Sequence, residues 1–248
     1  MTKKADFITS GNNRKIAYHH RKASEPTVLF CGGYMSDMEG TKALYLEKIC
    51  QGLGISYIRF DYSGHGSSSE KFEDGTISSW SEDAISIIDQ VAQGPLIVIG
   101  SSMGGWIGLI TCLARQKRIK AFIGIAVAPD FTRELMWDQY SVGVRETLKR
   151  DGIYLEPSDY SDEPYRVSYE LIKDGENHIL LNKPIELDLP VWLFHGLKDT
   201  SVPHEYSARV AEKLTSDDVI ISYNKQGDHR LSSAADLQRL KQALIEFI

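Results

Sequence analysis

One segment constrains the fold of this chain more than any other: a strand pattern, a serine between glycines and a helix pattern follow one another directly. The apolar, β-branched run Pro95–Ile99 predicts a buried strand. Gly105–Lys117, which ends in basic residues, predicts a helix. Between them lies Gly100-Ser-Ser-Met-Gly104, in which Ser102 alone has glycine two residues before and two residues after it. The segment therefore predicts a sharp turn that exposes the hydroxyl group of Ser102, with glycines where larger side chains would collide.

A serine on such a strand–turn–helix element is typical of a catalytic nucleophile, which needs a base that a third group holds in place. Where this turn occurs, the acid and the histidine follow the serine in that order. His229 lies in a loop after the strand-like Val219–Tyr223 and before the last helix pattern, where the base is expected. The alternative for His229 is an ordinary solvated loop histidine. Three other histidines follow the serine and are predicted to be surface, packing or hydrogen-bonding residues: His178, His195 and His204.

Two aspartates are candidates for the acid. Asp199 follows the predicted strand Val191–Phe194, and Asp130 follows the predicted strand Ala121–Ala128. Some hydrolases take the acid from the earlier strand, but the series His-Gly, Asp and Val-Pro around Asp199 favours that residue. Its role would be to fix the tautomer of the histidine and to stabilise the imidazolium ion. The alternative for Asp199 is a turn residue whose side chain bonds to its own backbone.

An oxyanion hole requires two backbone N–H groups directed at the developing charge. Met103 follows the nucleophile and is expected to supply one of them. The other is expected from the loop after the predicted strand Thr27–Phe30, which reads Cys31-Gly-Gly-Tyr34. The two glycines allow close approach of that backbone, so the N–H group of Tyr34 is the predicted second donor. A simple tight turn would also account for two glycines.

Six short motifs occur together and in order along nearly the whole chain. They are Gly33-Tyr-Met-Ser-Asp-Met-Glu-Gly-Thr-Lys-Ala43, Arg59-Phe-Asp-Tyr-Ser-Gly64, Gly66-Ser-Ser68, Gly100-Ser-Ser-Met-Gly-Gly-Trp106, His195-Gly-Leu-Lys-Asp199 and Asp228-His-Arg230. This combination resembles the acyl-protein thioesterases of the α/β-hydrolase superfamily. That family includes mitochondrial palmitoyl-protein thioesterases, also described as acyl-glucuronide esterases, and bacterial relatives.

The resemblance implies a serine hydrolase without cofactor or metal that removes acyl groups from thioesters or oxygen esters. It assigns the nucleophile, acid and base to Ser102, Asp199 and His229. Its expected substrates are small acyl esters or thioesters and acylated proteins, so that depalmitoylation is one expected activity. Two departures from the family are expected: the lack of an N-terminal targeting extension and a weaker match between Asp130 and Leu189.

Charge and composition indicate which binding partners and which cellular compartment to expect. The net charge of −6 at pH 7 gives no reason to expect nucleic-acid binding. The three cysteines have unrelated spacings, which argues against a disulfide framework or a zinc site and for a reducing compartment. Because neither a signal-peptide core nor a membrane-spanning apolar run is present, the sequence predicts a cytoplasmic protein without stable membrane insertion.

Strand and helix patterns alternate along the chain, which predicts an α/β-hydrolase fold with a mostly parallel eight-stranded sheet flanked by helices. The predicted core comprises residues 1–129 and 190–248, and residues 130–189 form a predicted helical cap. A second cap helix is predicted near Tyr165–Lys173. Four apolar residues at helical spacing form a predicted cap stripe: Trp137, Tyr140, Val144 and Leu148. Such a stripe fits plain packing, and it also fits a lid in which Trp137 and Tyr140 bind an acyl chain.

Other functions fit the same motifs. Carbon–carbon bond hydrolases and cofactor-free haloperoxidases use the same triad on the same fold. The motifs do not separate them from esterases, because their specificity depends on the pocket. A hydrolase-like binding module without activity is the alternative from another class of protein. An intact set of triad and oxyanion residues favours the enzyme.

Overall fold

A mostly parallel sheet of eight strands forms the centre of the molecule, and the predicted fold class is confirmed. The computed structural model describes residues 4–157 and 164–248. These ranges contain ten strands: β1 (Asp6–Thr9), β2 (Lys15–Arg21), β3 (Ser24–Cys31), β4 (Ile55–Phe60), β5 (Leu96–Ser101), β6 (Ile119–Ile125), β7 (Ile153–Glu156), β8 (Tyr165–Ser168), β9 (Val191–Gly196) and β10 (Val219–Asn224). The order across the large sheet is β1-β2-β4-β3-β5-β6-β9-β10. The hairpin β1–β2 is antiparallel and joins β4 in antiparallel register, whereas the other six strands of this sheet, β4, β3, β5, β6, β9 and β10, run parallel to one another.

Helices cover both faces of this sheet, and every residue of β4 and β5 is therefore buried. The described ranges contain seven α-helices: α1 (Thr41–Leu53), α2 (Ile77–Gln90), α3 (Met103–Ala114), α4 (Val142–Asp151), α5 (Tyr169–Gly175), α6 (Glu205–Lys213) and α7 (Ala234–Glu246). Helices α1 and α7 pack on one face through Leu46 and Leu244. Helices α2, α3 and α6 pack on the other face, where Trp80 and Trp106 are fully buried. None of the helices in the described ranges has the length and apolar character that a membrane crossing requires.

The carboxyl ends of the parallel strands meet at one edge of the sheet, which is where open α/β sheets bind ligands. Each predicted site residue of the core follows the end of one such strand. In chain order these strand–residue pairs are β3 with Tyr34, β5 with Ser102 and Met103, β6 with Asp130, β9 with Asp199, and β10 with His229. The topology thus brings these residues to one end of the molecule, although they are widely separated in sequence.

The segment between β6 and β9 differs from its sequence-based prediction. The predicted stripe is wrong as one helical face, because it spans two elements: a π-helix at Thr132–Trp137 and helix α4. Ser141 begins α4 by accepting a hydrogen bond from the N–H group of Val144 (N···Oγ 3.3 Å). Trp137 and Tyr140 precede that cap, so they do not share a helix with Val144 and Leu148. The spacing that suggested one helix thus extends across a change of helix type.

The second cap helix also begins later than predicted. Tyr165–Ser168 forms strand β8, which pairs with β7 in an antiparallel hairpin that the sequence analysis does not predict, and α5 follows it. Ser168 caps α5 by accepting a hydrogen bond from the N–H group of Leu171 (N···Oγ 3.1 Å). Residues 158–163 of the predicted cap lie outside the described residues.

Candidate active site

Ser102 occupies the turn between β5 and α3 in a left-handed conformation, with φ of +56°. Its neighbours explain the glycines on both sides. A Cβ atom at Gly100 would lie 2.7 Å from the carbonyl carbon of Gly104, and one at Gly104 would lie 2.6 Å from the carbonyl carbon of Cys31. Both distances are shorter than any ordinary contact between carbon atoms. Two glycines are thus required for the serine turn to pack between its helix and the loop after β3.

A continuous series of hydrogen bonds joins the three predicted triad residues. The distance from His229 Nε2 to Ser102 Oγ is 3.0 Å, and that from His229 Nδ1 to Asp199 Oδ2 is 2.8 Å. The Asp199 side chain is fully buried, while the His229 side chain is 16% exposed. Because a carboxylate accepts from Nδ1–H, Nε2 is left as the acceptor for the serine proton. The arrangement has the geometry of an activated nucleophile.

One carboxylate oxygen of Asp199 bonds to the backbone of its own turn, and the other faces His229. The turn interpretation and the acid interpretation therefore both fit this side chain. Oδ1 accepts hydrogen bonds from the N–H groups of Ser201 and Val202, both at 2.9 Å. Oδ2 faces His229 and lies 3.2 Å from His195 Nε2. Burial alone would raise the pKa of Asp199, but the hydrogen bonds from His195 and His229 outweigh it and hold that pKa below its usual range. Asp199 is therefore an anion at neutral pH.

Asp130, the alternative acid, lies in a different set of contacts. Its two carboxylate oxygens accept hydrogen bonds from the N–H groups of Leu180 and Leu181, each at 2.8 Å. Burial raises the pKa of Asp130, and these two backbone bonds oppose that effect. Its contacts tie the beginning of the segment between β6 and β9 to its end.

The loop after β3 places Tyr34 beside the serine turn, and Tyr34 and Met103 both line the cavity at Ser102. Met103 is the first residue of α3, whose N–H group has no partner within the helix. The Tyr34 hydroxyl donates to the carbonyl oxygen of Arg166 on β8 (3.2 Å), and its ring packs edge-on against Phe72. The side chain of Tyr34 thus links this loop to the β7–β8 hairpin.

The cavity at Ser102 has a volume of about 580 Å³ and two chemically different sides. Its apolar lining consists of residues from the loop after β6, the π-helix and the turn after β9: Ala128, Phe131, Leu135, Met136 and Val202. Glu156 and Tyr165 of the hairpin also line it. Burial raises the pKa of Glu156. None of these residues was predicted, since hairpin strands of four residues give no periodic signal and a π-helix breaks the helical one.

Trp137 and Tyr140, the predicted substrate-binding residues, do not line this cavity in the described part of the chain. The Trp137 ring lies 5.8 Å from that of Tyr169, and the guanidinium group of Arg145 lies over it. Tyr140 packs edge-on against Tyr154, with 5.8 Å between ring centroids. Both rings therefore pack on residues of the segment between β6 and β9, whereas Leu135 and Met136 of the π-helix line the cavity.

The polar side of the cavity is formed by the start of α1 and the loop that carries His229. Lys42 on α1 donates from Nζ to the carbonyl oxygen of Arg230 (2.6 Å) and lies 3.5 Å from Ser232 Oγ. Burial lowers the pKa of Lys42 to about 8. This lysine joins the first helix to the loop of the catalytic histidine candidate, and Ser36, Asp37 and Thr41 complete the polar side.

Known proteins resemble this chain along almost its whole length. The family model described as "Serine aminopeptidase, S33" matches residues 22–150. The palmitoyl-protein thioesterase ABHD10, mitochondrial, of Homo sapiens is 41% identical over 243 residues, which are 98% of this chain and 79% of that protein. The bovine counterpart of the same name is 40% identical over 243 residues. The chain belongs to the ABHD10 family of α/β-hydrolases.

Solved structures agree with this assignment. Alpha/beta hydrolase domain-containing protein 10 from mouse has a TM-score of 0.91 and 38% identity, with 98% of each chain covered. A putative hydrolase from Agrobacterium vitis S4 has a TM-score of 0.95 and 37% identity, and the match covers 99% of this chain and 98% of that one. The chain is therefore an enzyme, a serine hydrolase of a thioesterase family.

The predicted cytoplasmic location is wrong. The ABHD10 relatives are named as mitochondrial proteins, which contradicts the predicted cytoplasmic location. Unpaired cysteines fit any reducing compartment, and here all three are free and buried. The lack of an apolar signal-peptide core says nothing about mitochondrial targeting, because mitochondrial transit peptides are amphipathic and basic.

Proposed function

We propose that this ABHD10-family enzyme hydrolyses acyl thioesters and carboxylic esters through an acyl-enzyme on Ser102, with His229 as base and Asp199 as acid. The observation that carries the proposal is the unbroken hydrogen-bonded series from Asp199 through His229 to Ser102 at the wall of the cavity. The names of the relatives support acylated proteins as one class of substrate.

In the first step, His229 Nε2 takes the proton of Ser102 as Oγ attacks the acyl carbon. Asp199 keeps Nδ1 protonated and stabilises the imidazolium ion. We assign the backbone N–H groups of Met103 and Tyr34 to the oxyanion, because both residues border the cavity at Ser102. The imidazolium of His229 then gives this proton to the leaving group, which departs as a thiol or alcohol and leaves the acyl group on Ser102. Neutral His229 takes a proton from the water that attacks the acyl-enzyme, and returns it to Ser102 Oγ as the acid is released.

The two sides of the cavity suggest which part of the substrate lies where. The acyl chain fits the apolar side at Phe131, Leu135 and Met136, since burying a methylene group there contributes about 0.8 kcal/mol. The leaving group fits the polar side near Lys42 and Arg230. Trp137 and Tyr140 do not line the cavity and have no part in this binding.

We further propose that residues 130–189 act as a cap on a core formed by residues 1–129 and 190–248. Two sets of contacts support this division. Asp130 binds the amides of Leu180 and Leu181 and so closes the base of the segment. Glu134 on the π-helix accepts hydrogen bonds from Arg209 on α6 (2.6 and 2.8 Å), which anchors the segment to the core.

A panel of substrates tests the proposed reaction. Acyl thioesters and p-nitrophenyl esters from acetyl to decanoyl should be hydrolysed, with kcat/KM rising by up to about fourfold per added methylene until the apolar side is full. Ser102→Ala is the matched control, since it removes one oxygen atom and should be folded but inactive. If the enzyme cleaved a carbon–carbon bond substrate and none of these esters, the carbon–carbon bond hydrolase would be favoured. Activity of Ser102→Ala would exclude Ser102 as the nucleophile.

A further inference from the structure

His195, which the sequence predicts to be a packing or hydrogen-bonding residue, lies directly behind the proposed acid. It is the penultimate residue of β9 and is fully buried. Its Nε2 atom lies 3.0 Å from the carbonyl oxygen of Val202 and 3.2 Å from Asp199 Oδ2. Its Nδ1 atom lies 2.7 Å from the hydroxyl group of Ser207 on α6. Both ring nitrogens therefore have partners without any contact to the substrate cavity.

These partners determine where the proton is. A carbonyl oxygen and a carboxylate oxygen only accept hydrogen bonds, so Nε2 of His195 must carry the hydrogen. The Ser207 hydroxyl can donate to Nδ1, which satisfies a neutral ring on both sides. His195 is thus held in one tautomer and presents a fixed N–H group to the acid.

The same carboxylate oxygen receives both histidines. Asp199 Oδ2 accepts from His229 Nδ1 at 2.8 Å and lies 3.2 Å from His195 Nε2, while Oδ1 is taken up by the turn. The carboxylate is therefore held on both oxygens, and Oδ2 is held by His195 of β9 and by His229 of the loop after β10.

We propose that His195 is a positioning residue for the hydrolytic reaction: its Nε2–H group fixes the rotation of Asp199 and shares the charge of Oδ2, so that Asp199 holds His229 in the productive orientation. This inference rests on the proposed function. His195 touches neither the substrate nor the reacting atoms and acts only through Asp199.

Loss of the His195 Nε2–H donor should change the pH dependence of kcat/KM in a predictable direction. Without it, the charge on Oδ2 is shared with fewer hydrogens and attracts protonated His229 more strongly. The inactive, protonated enzyme then persists to higher pH, and the acid limb of kcat/KM moves upward. A carboxylate that is free to rotate also holds His229 less well, which lowers kcat and leaves KM unchanged.

The charged groups of neighbouring elements have other partners. On α6, Arg209 pairs with Glu134 of the π-helix (2.6 Å). Glu205, also on α6, lies 3.5 Å from His204 Nδ1. The groups that act on Asp199 are therefore His195, His229 and the backbone of its own turn.

Four variants of the full chain separate this role from packing. His195→Phe keeps the ring volume and removes the donor, and His195→Gln replaces a donor near the position of Nε2. His195→Asn carries its amide at the position of Nδ1 and does not reach Asp199. Ser207→Ala is the matched control, because it removes a buried hydrogen bond of the same ring and leaves Nε2–H in place. The readouts are kcat, KM, the pH profile of kcat/KM and the thermal midpoint.

We expect His195→Phe to lower kcat by about 10–100-fold, less than the roughly 10⁴-fold cost of losing the acid, with KM unchanged. Its acid limb should move up by about 0.5–1 pH unit. His195→Gln should recover most of both effects, and Ser207→Ala should lower only the thermal midpoint. If His195→Phe does not fold, the comparison of His195→Gln with His195→Asn carries the same test.

The proposal is overturned if the acid limb stays in place in every variant, or if kcat falls only in proportion to the thermal midpoint, with Ser207→Ala behaving like His195→Phe. These results would leave His195 as a packing residue. They are distinguishable from a failure of the proposed function, which would appear as activity retained by Ser102→Ala.

Discussion

One methyl group at Gly104 tests whether the loop after β3 belongs to the oxyanion hole. A Cβ atom at this position would lie 2.6 Å from the carbonyl carbon of Cys31 and would also collide with the carbonyl oxygens of Cys31 and Gly32. Ordinary carbon–carbon contacts are about 3.5–4.0 Å long, so the loop must move by about 1 Å. The N–H group of Tyr34 would move with it. Gly104→Ala should therefore displace one oxyanion donor and leave the triad in place.

The expected cost follows from that displacement. A misplacement of about 1 Å reduces the rate about 10²-fold, and complete loss of one oxyanion donor costs about 10²–10³-fold in kcat. We expect kcat of Gly104→Ala to fall within this range, with little change in KM. The added methyl group should also lower the free energy of unfolding by about 1–3 kcal/mol.

Steady-state hydrolysis of a short acyl thioester, measured together with chemical unfolding, checks both numbers. Gly52→Ala is the control, because a Cβ there, in helix α1, meets no described atom within 4 Å. It should leave kcat unchanged and raise the stability by about 0.5–1 kcal/mol. A folded Gly104→Ala enzyme with kcat within about threefold of the parent would refute the reasoning, since an undisplaced donor costs nothing.

Three further predictions concern the acid, the acyl wall and the leaving group. Asp199→Asn should lower kcat by about 10³–10⁴-fold, because it stabilises the wrong tautomer of His229. Asp130→Asn should lower the thermal midpoint and leave kcat within about threefold of the parent. Steady-state kinetics of both variants test this order, and the reverse order would assign the acid to Asp130. Leu135→Ala should flatten the rise of kcat/KM with acyl length, whereas Trp137→Ala should preserve it; equal flattening in both would place Trp137 in the acyl wall. Thioesters should be cleaved at least about 10²-fold faster than the matching amides, because an amine must be protonated as it leaves; equal rates would instead favour the aminopeptidase chemistry after which the matching family model is described.

The sheet was predictable from sequence because its strands are buried on both faces. Runs such as Leu96–Ser101 and Val191–Gly196 are short, apolar and bounded by turn residues. The five strands for which the sequence predicts a range are all present, and each end lies within three residues of its prediction. The segment between β6 and β9 was less predictable. Its π-helix and its hairpin of four-residue strands produce no regular period, so a stripe that joined Trp137 to Leu148 crossed an element boundary.

The candidate site was likewise predictable from sequence only in part. Ser102, Asp199 and His229 could be selected because local turn chemistry and chain order constrain them, and the structure brings them within hydrogen-bonding distance. The residues that line the cavity could not be predicted, since Leu135 and Glu156 reach it only through the tertiary arrangement of the segment between β6 and β9. His195 carried a signal, the histidine before glycine at the end of β9, but its contact with Asp199 depends on the path of the turn.

Covalent labelling of the nucleophile tests the central claim most directly. A fluorophosphonate should modify the enzyme once, tandem mass spectrometry should locate the label on Ser102, and activity should fall in the same proportion as labelling rises. Asp199→Asn should be labelled more slowly, and Ser102→Ala should remain unlabelled. A label on Ser101 or on any other residue of the inactivated enzyme, or full thioester hydrolysis by the labelled protein, would contradict the account.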